Sequence, residues 1–199
     1  MRARIAALLL AAGKSSRMGS CKQLLPLGET TVIGRCLDTL RCGGVSDIVV
    51  VVSECGQEVA RAAERCSAAR VVVNLECDGD MASSIRIGRD ALGTDVSGVI
   101  VALCDYPLVT SATVEFLIRR HVENPGGIII PTHQDYRGHP LLFARTILAE
   151  LAENMTLRDV VCRDAGRVED VPVDDPGILI DMDSPEDYNR IRAILLDLD

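Results

Sequence analysis

The chain has 199 residues, of which 48% are hydrophobic, 25% charged and 3% aromatic, with no tryptophan. This composition excludes an intrinsically disordered chain and calls for an aliphatic core, and the length suits one domain spanning residues 1–199. A formal net charge of −8 excludes broad binding to nucleic acid or to an acidic membrane, since both require a basic surface, so any anionic ligand must meet a local cationic site.

The first predicted element is a strand at Ile5–Leu10. With Met1, Arg2, Ala3 and Arg4 before it, this start has the outline of a secretory leader, but the apolar run ends at Ala12 and passes directly into Lys14 and Arg17. The expected location is therefore cytoplasmic, and no run approaches the ~18 apolar residues of a membrane span. After the strand comes Ala11-Ala12-Gly13-Lys14-Ser15-Ser16-Arg17-Met18-Gly19, with Lys22 just beyond. A small-residue loop at a strand's carboxyl end lets backbone N–H groups approach phosphates, and Lys and Arg neutralise them. The Walker A pattern fails because Leu8 stands where its first glycine is needed, and the dinucleotide G-x-G-x-x-G pattern is absent. Both lysines of the chain, Lys14 and Lys22, fall in this loop, and the first 28 residues hold five basic side chains and no acidic one. A flexible turn with solvated charges is the competing reading.

Apolar runs then alternate with helical patterns, the signature of βαβ units around a mainly parallel sheet. Strands are expected at Asp47–Val52, Arg70–Asn74, Val99–Leu103 and Ile128–Pro131. Helices are expected at Thr31–Arg41, Gly56–Cys66, Ala82–Leu92 and Ser111–His121, from apolar residues spaced three and four apart. Asp105 directly follows the very apolar strand ending at Leu103, where a carboxylate faces the cleft of an open α/β sheet and can hold Mg²⁺ on a triphosphate; a turn or helix cap is the alternative. In the last third, a strand is expected at Leu141–Phe143, short helices around Ile147 and Val160, and a strand at Ile178–Asp181. Asp183 follows it as a second metal ligand, or else only precedes a helix N-terminus. Ser184, Pro185 and Asp187 form a capping-box start for a closing helix.

The eight cysteines, at 21, 36, 42, 55, 66, 77, 104 and 162, show no C-x-x-C pair. They read mostly as buried or semi-buried thiols, Cys21 in the loop excepted. The three histidines, His121, His133 and His139, form no base-like group. His121 reads as a surface residue at a helix end, and His139 as either a ligand contact or a hydrogen-bonded turn residue.

Four motifs in order resemble the MobA-like nucleotidyltransferases, with the molybdenum cofactor cytidylyltransferases the nearest branch: Leu-Ala-Ala-Gly-x-Ser-x-Arg-Met-Gly with Lys22, Leu103-Cys104-Asp105-Tyr106-Pro107, Gly138-His139-Pro140, and Asp181-Met182-Asp183-Ser184-Pro185. The likeness runs from residue 5 to about 188. It implies an α/β, Rossmann-like three-layer fold and Mg²⁺-dependent transfer of a nucleoside monophosphate. By that resemblance Ala11, Ala12, Gly13, Lys14 and Ser15 cradle the donor nucleotide, and Arg17 and Lys22 hold its triphosphate and act catalytically with Asp105. Asp105 and Asp183 hold the metal, Asn74, Ser83 and Ser84 lie near base and ribose, and His139 contacts base or acceptor. Ala11-Ala12-Gly13 and Gly138-His139-Pro140 resemble the cytidylyl more than the guanylyl branch, implying CTP as donor. The implied acceptor is a phosphorylated pterin, Mo-molybdopterin, with transient contact to molybdoenzyme maturation proteins. Asp80 in place of a family glycine, and Glu153–Arg158, depart from the family pattern. A transferase using another NTP and a sugar phosphate, and a non-catalytic carrier of a pterin dinucleotide, are the rival readings.

Overall fold

The computed structural model describes residues 4–13, 18–76 and 80–197. A central sheet carries most of the chain: β1 (Ile5–Leu10), β4 (Ile48–Ser53), β5 (Ala69–Asn74), β6 (Gly98–Leu103), β7 (Ile128–His133), β9 (Leu141–Ala144) and β10 (Val168–Pro172) stand in the order β10-β7-β9-β6-β1-β4-β5. A short arm, β8 (Tyr136–Arg137), pairs with β7, while β2 (Pro26–Leu27) and β3 (Thr30–Thr31) form a separate small hairpin. Neighbours among β6, β1, β4 and β5 run parallel, and β9 enters antiparallel between β6 and β7. The pairing of β1 with β6 ends at Leu10↔Leu103, and that of β1 with β4 at Leu10↔Val51. β1 and β6 thus finish level, β4 runs two residues further to Ser53, and the segments leaving them share one edge of the sheet.

Among the described residues seven helices flank the sheet: α1 (Val32–Cys42), α2 (Gln57–Ala63), α3 (Met81–Asp90), α4 (Ser111–Glu123), α5 (Arg145–Leu148), α6 (Leu157–Cys162) and α7 (Pro185–Leu196). The strands' two-residue period divides the interior into two layers. Ile5, Ala7 and Leu9 of β1 pack with Leu37, Val59, Leu117 and Ile191, whereas Ala6 and Leu8 pack with Ile85, Leu148 and Val160. Each fully buried aliphatic side chain contributes roughly 1.5–3 kcal/mol relative to exposure, which suits a chain with almost no aromatics. Helix starts use the expected chemistry: Thr31, Thr110, Thr156 and Ser184 each accept a backbone N–H, and Ser184 with Asp187 completes the capping box. The three-layer, mainly parallel arrangement is the fold expected from the alternation of elements. Among the described residues no helix is long and apolar enough to cross a membrane.

Three expectations are corrected, and one strand appears that none anticipated. The run Ile178–Asp181 is not a strand: a 3₁₀ turn spans Pro176–Leu179, capped by the Asp175 side chain on the Gly177 N–H. The sheet positions beside β6 are already filled by β1 and β9, so this apolar run buries Ile178 and Met182 without joining a ladder. A strand at β10 instead pairs with β7, although nothing in Val168–Pro172 signals it strongly. His121 is not a surface residue. Its side chain is 0% exposed, held in space left by Gly98, where an added Cβ would lie 2.6 Å from His121 Nε2. Finally, Cys21, Cys42, Cys55 and Cys162 are exposed, Cys66 is half-buried, and only Cys36 and Cys104 of the described thiols are buried, because helix ends and loops place the others outward.

Candidate active site

The level carboxyl ends of β1 and β6 meet through the Cys104 N–H donating to Leu10 O at 3.1 Å. Beyond Leu10 the chain opens into residues 11–13. The Ala11 N–H is committed to Val51 O at 2.8 Å, so Ala11 offers a ligand no backbone donor, and the loop's free direction begins at Ala12 and Gly13. Lys14, Ser15 and Arg17 lie outside the described residues. The chain returns at a 3₁₀ turn, Lys22–Leu24, whose first two side chains are both buried.

Those two side chains organise the site. The Gln23 amide, 2% exposed, donates through Nε2 to Ala11 O at 3.2 Å and Gly13 O at 3.1 Å. It accepts the Cys21 thiol at Oε1, 3.2 Å away, which orients the amide so that its NH₂ faces the loop carbonyls. Sequence reasoning passed over Gln23, since a glutamine beside a lysine carries no motif signal. Lys22 Nζ lies 3.1 Å from Asp105 Oδ2, 2.9 Å from Asp183 Oδ1 and 2.9 Å from Met182 O. The three residues singled out from separate segments therefore converge on one point. Asp183 does not arrive on a strand; the Met182 N–H donates to Asp105 O at 2.9 Å and lays the loop along the end of β6. Asp183 meets Lys22, while Asp181 lines a neighbouring groove with His133 and Arg190.

The electrostatics follow from this packing. Burial opposes the charge on Lys22, but the Asp105 and Asp183 carboxylates outweigh it and hold the ammonium's pKa above its ordinary value. The Tyr106 hydroxyl is pushed up to about 12 by burial and by Asp181, Asp105 and Asp183, so it stays protonated and able to donate. The Tyr106 and His139 rings lie 4.9 Å apart, which brings His139 beside the Asp105 turn. Burial lowers the His139 pKa against the pull of Asp105, favouring a neutral imidazole, and among the described residues its Nδ1 has no hydrogen-bond partner. His139 is set by Gly138, where a Cβ would stand only 2.4 Å from Ile178 O, and by its own N–H on Ile178 O at 3.0 Å. The Cys104 thiol, paired with Cys36 and buried, is held well above its usual pKa and is thus unreactive as a thiolate.

Asn74, Ser83 and Ser84 form a different group. Asn74 Nδ2 donates to Ser83 Oγ at 2.9 Å and to Ser84 Oγ at 3.0 Å, and Asn74 Oδ1 accepts the Glu76 N–H at 2.9 Å. All three side chains are buried, so the network ties the first turn of α3 to the end of β5, on the same sheet edge but two strands from β1. Asp80, the departure from the family glycine, is the N-cap of α3, its Oδ1 2.7 Å from the Ser83 N–H. Thr156 and Asp159 likewise form a capping box for α6, and Arg158 is exposed there.

A hard divalent cation fits this donor set. Asp105 Oδ2 and Asp183 Oδ1 both approach a single cationic point, presently the Lys22 ammonium. Mg²⁺ and Mn²⁺ are held by one or two carboxylates with substrate phosphates completing the shell. Among the described residues no cluster of three or more His, Cys, Asp or Glu is placed to hold a metal ion.

Comparisons with known proteins bear on this geometry. Residues 7–167 match the family model described as MobA-like NTP transferase domain. The chain is 29% identical to nicotine blue oxidoreductase of Paenarthrobacter nicotinovorans, over 84% of this chain and 91% of that protein. It is 25% identical to the molybdenum cofactor cytidylyltransferase of Escherichia coli, over 91% of this chain and 92% of that protein. It also matches bifunctional GlmU proteins, of which it spans about a quarter. Among solved structures, Rv0371c of Mycobacterium tuberculosis superposes with a TM-score of 0.84 at 30% identity, covering 97% of this chain and 100% of that one. A complex of the same protein with manganese gives 0.77 at 28% identity over 96% and 98% of the two chains.

Proposed function

Because the chain belongs to the MobA-like NTP transferase family, we propose that it is a Mg²⁺-dependent cytidylyltransferase that moves CMP from CTP to a phosphorylated, pterin-type acceptor of the Mo-molybdopterin class. The observation that carries this reading is Lys22 Nζ lying 3.1 Å and 2.9 Å from Asp105 and Asp183. Cation and carboxylates thus share one cleft at the carboxyl edge of the sheet, the place where α/β folds bind nucleotides. The E. coli relative supports the choice of CTP and pterin. The Ala-Ala-Gly loop and Gly138-His139-Pro140 support it from the sequence.

In this reading an acceptor phosphate oxygen attacks the α-phosphorus in line. The new P–O bond forms as the bond to the β-phosphate oxygen breaks, and pyrophosphate leaves. A phosphate monoester is already ionised near neutral pH, so the step needs no general base. Lys22, Arg17 and the N–H groups of the loop hold the triphosphate and stabilise charge on the departing pyrophosphate. When bound, Mg²⁺ held by Asp105 and Asp183 adds charge neutralisation at the phosphates. His139 and Tyr106 face base or acceptor at the mouth of the site, and Asn74, Ser83 and Ser84 shape the wall near base and ribose. The reaction belongs in the cytoplasm, with product passed to molybdoenzyme maturation proteins.

Pyrophosphate release measured with each NTP, with and without Mg²⁺, on molybdopterin and on sugar phosphates tests the assignment. The expected result is Mg²⁺-dependent release with CTP and the pterin, lowered about a hundredfold or more in Asp105→Asn. Preference for another NTP or for sugar phosphates sinks the substrate assignment. The name of the P. nicotinovorans relative, nicotine blue oxidoreductase, sets the sharper rival: redox turnover of nicotine blue with no pyrophosphate under any condition overturns nucleotidyl transfer itself.

A further inference from the structure

Lys22 occupies the point that a cation held by Asp105 and Asp183 must take. Its ammonium lies 3.1 Å from one carboxylate oxygen, 2.9 Å from the other, and 2.9 Å from the Met182 carbonyl. A divalent ion bonded to the same two oxygens would stand at roughly 2.1 Å from each, leaving it about one contact distance from an ammonium of like charge. The two cations would repel each other there, and Lys22 is buried, 8% exposed, so solvent screens them from each other only in part.

We propose that Lys22 and the divalent cation compete for one seat between Asp105 and Asp183, so that the site admits the metal as its nucleotide complex and resists the bare ion. The proposal rests on the preceding reading that these two carboxylates are the metal ligands. Lysine suits such an exchange because its charge is a point on a flexible four-carbon stem, whereas an arginine fork would be fixed in place. The base of that stem is anchored, since Gln23 beside it is buried and bonded to residues 11 and 13. The ammonium therefore turns about a fixed base. When metal arrives with a triphosphate, Lys22 exchanges two carboxylates for phosphate oxygens and remains paired. When metal arrives alone, the ammonium is expelled into a partly buried position with its counter-ions taken, and that cost is subtracted from metal affinity. The linkage is reciprocal: nucleotide raises metal affinity by the factor by which metal raises nucleotide affinity.

Titration with Mn²⁺ alone, read by electron paramagnetic resonance without nucleotide, tests this directly. Lys22→Gln is expected to bind Mn²⁺ roughly tenfold or more tightly than the natural chain, the consequence of removing a unit charge beside the ion in a partly screened site. Asp183→Asn is expected to bind it more weakly. If Lys22→Gln folds cooperatively and its Mn²⁺ affinity is equal to or below that of the natural chain, the competition is refuted. Should Lys22→Gln fail to fold, the natural chain still decides. The chain has two lysines, Lys14 and Lys22, and mass spectrometry separates their acetylation by acetic anhydride. Saturating Mn²⁺ should speed acetylation of Lys22 several-fold, and an unchanged rate at saturation overturns the proposal. The two ideas fail differently: if neither Asp105→Asn nor Asp183→Asn weakens Mn²⁺·CTP binding, the metal reading falls and the competition with it. If they do weaken it while Lys22→Gln binds bare Mn²⁺ no more tightly, the competition alone falls.

Discussion

Replacing Gln23 by methionine isolates the contact that shapes the donor loop. Methionine keeps the length and bulk of the side chain and removes both Nε2 donors, so Ala11 O and Gly13 O lose partners at 3.2 Å and 3.1 Å. A buried carbonyl left unpaired costs about 1–3 kcal/mol. Ala11 is buried and Gly13 exposed, so Ala11 O bears the larger share while Gly13 O regains water. Both bonds are at the long end of the usual range, which puts the total near 1.5 kcal/mol and the drop in melting temperature at about 3–6 °C for a chain of this size. Because the released carbonyls belong to the loop, nucleotide affinity should fall as well. Gln23→Glu, which places acceptors against acceptors, should lose more of both. Circular dichroism melting and CTP titration measure the two effects. If Gln23→Met melts within about 1 °C of the natural chain and binds CTP equally well, the loop is not set by Gln23 and the reasoning is wrong.

Two further outcomes follow from backbone crowding and buried titratable groups. Gly138→Ala drives a Cβ to 2.4 Å from Ile178 O. Backbone must yield there, so a destabilisation of about 1–3 kcal/mol, seen as a lower melting temperature, should accompany weaker nucleotide binding through the displaced His139. Burial holds the His121 pKa below 6.5, so the unfolded chain takes up its proton first. Its contribution to stability is complete above pH 6.5 and declines as pH falls from there toward the lower folded-state pKa. Among the described residues neither ring nitrogen has a partner. His121→Leu should therefore shrink the difference in melting temperature between pH 7.5 and pH 5, and an undiminished difference would assign the acid sensitivity elsewhere, His139 being next with a shift of the same sign.

What was legible in the chain and what was not divides by whether a feature depends on one segment or on several. The capping box at Ser184 and Asp187, the aliphatic strands and the helical periodicities are local, and they appear where residue chemistry puts them, to within a few positions. The run at Ile178–Asp181 misleads because an apolar stretch is required equally by a central strand and by a coil buried under a helix. What separates them is whether a ladder position is free beside β6, and that is settled by β9, 37 residues earlier than Ile178. His121 misleads for the same reason: a polar residue near a helix end reads as exposed until Gly98, on another element, leaves room to bury it. The candidate site shows both sides. Lys22 and Asp105 were readable because strand-end loops in an open sheet must share an edge. Asp183 reaches the same point by a different cause, the Met182 N–H on Asp105 O, so its position was anticipated and its route was not. The closure of Asn74, Ser83 and Ser84 on one another was not legible even though the three residues were singled out, since hydroxyl and amide side chains near a helix start serve a ligand or the helix equally well, and only the structure shows that these three also tie α3 to the end of β5.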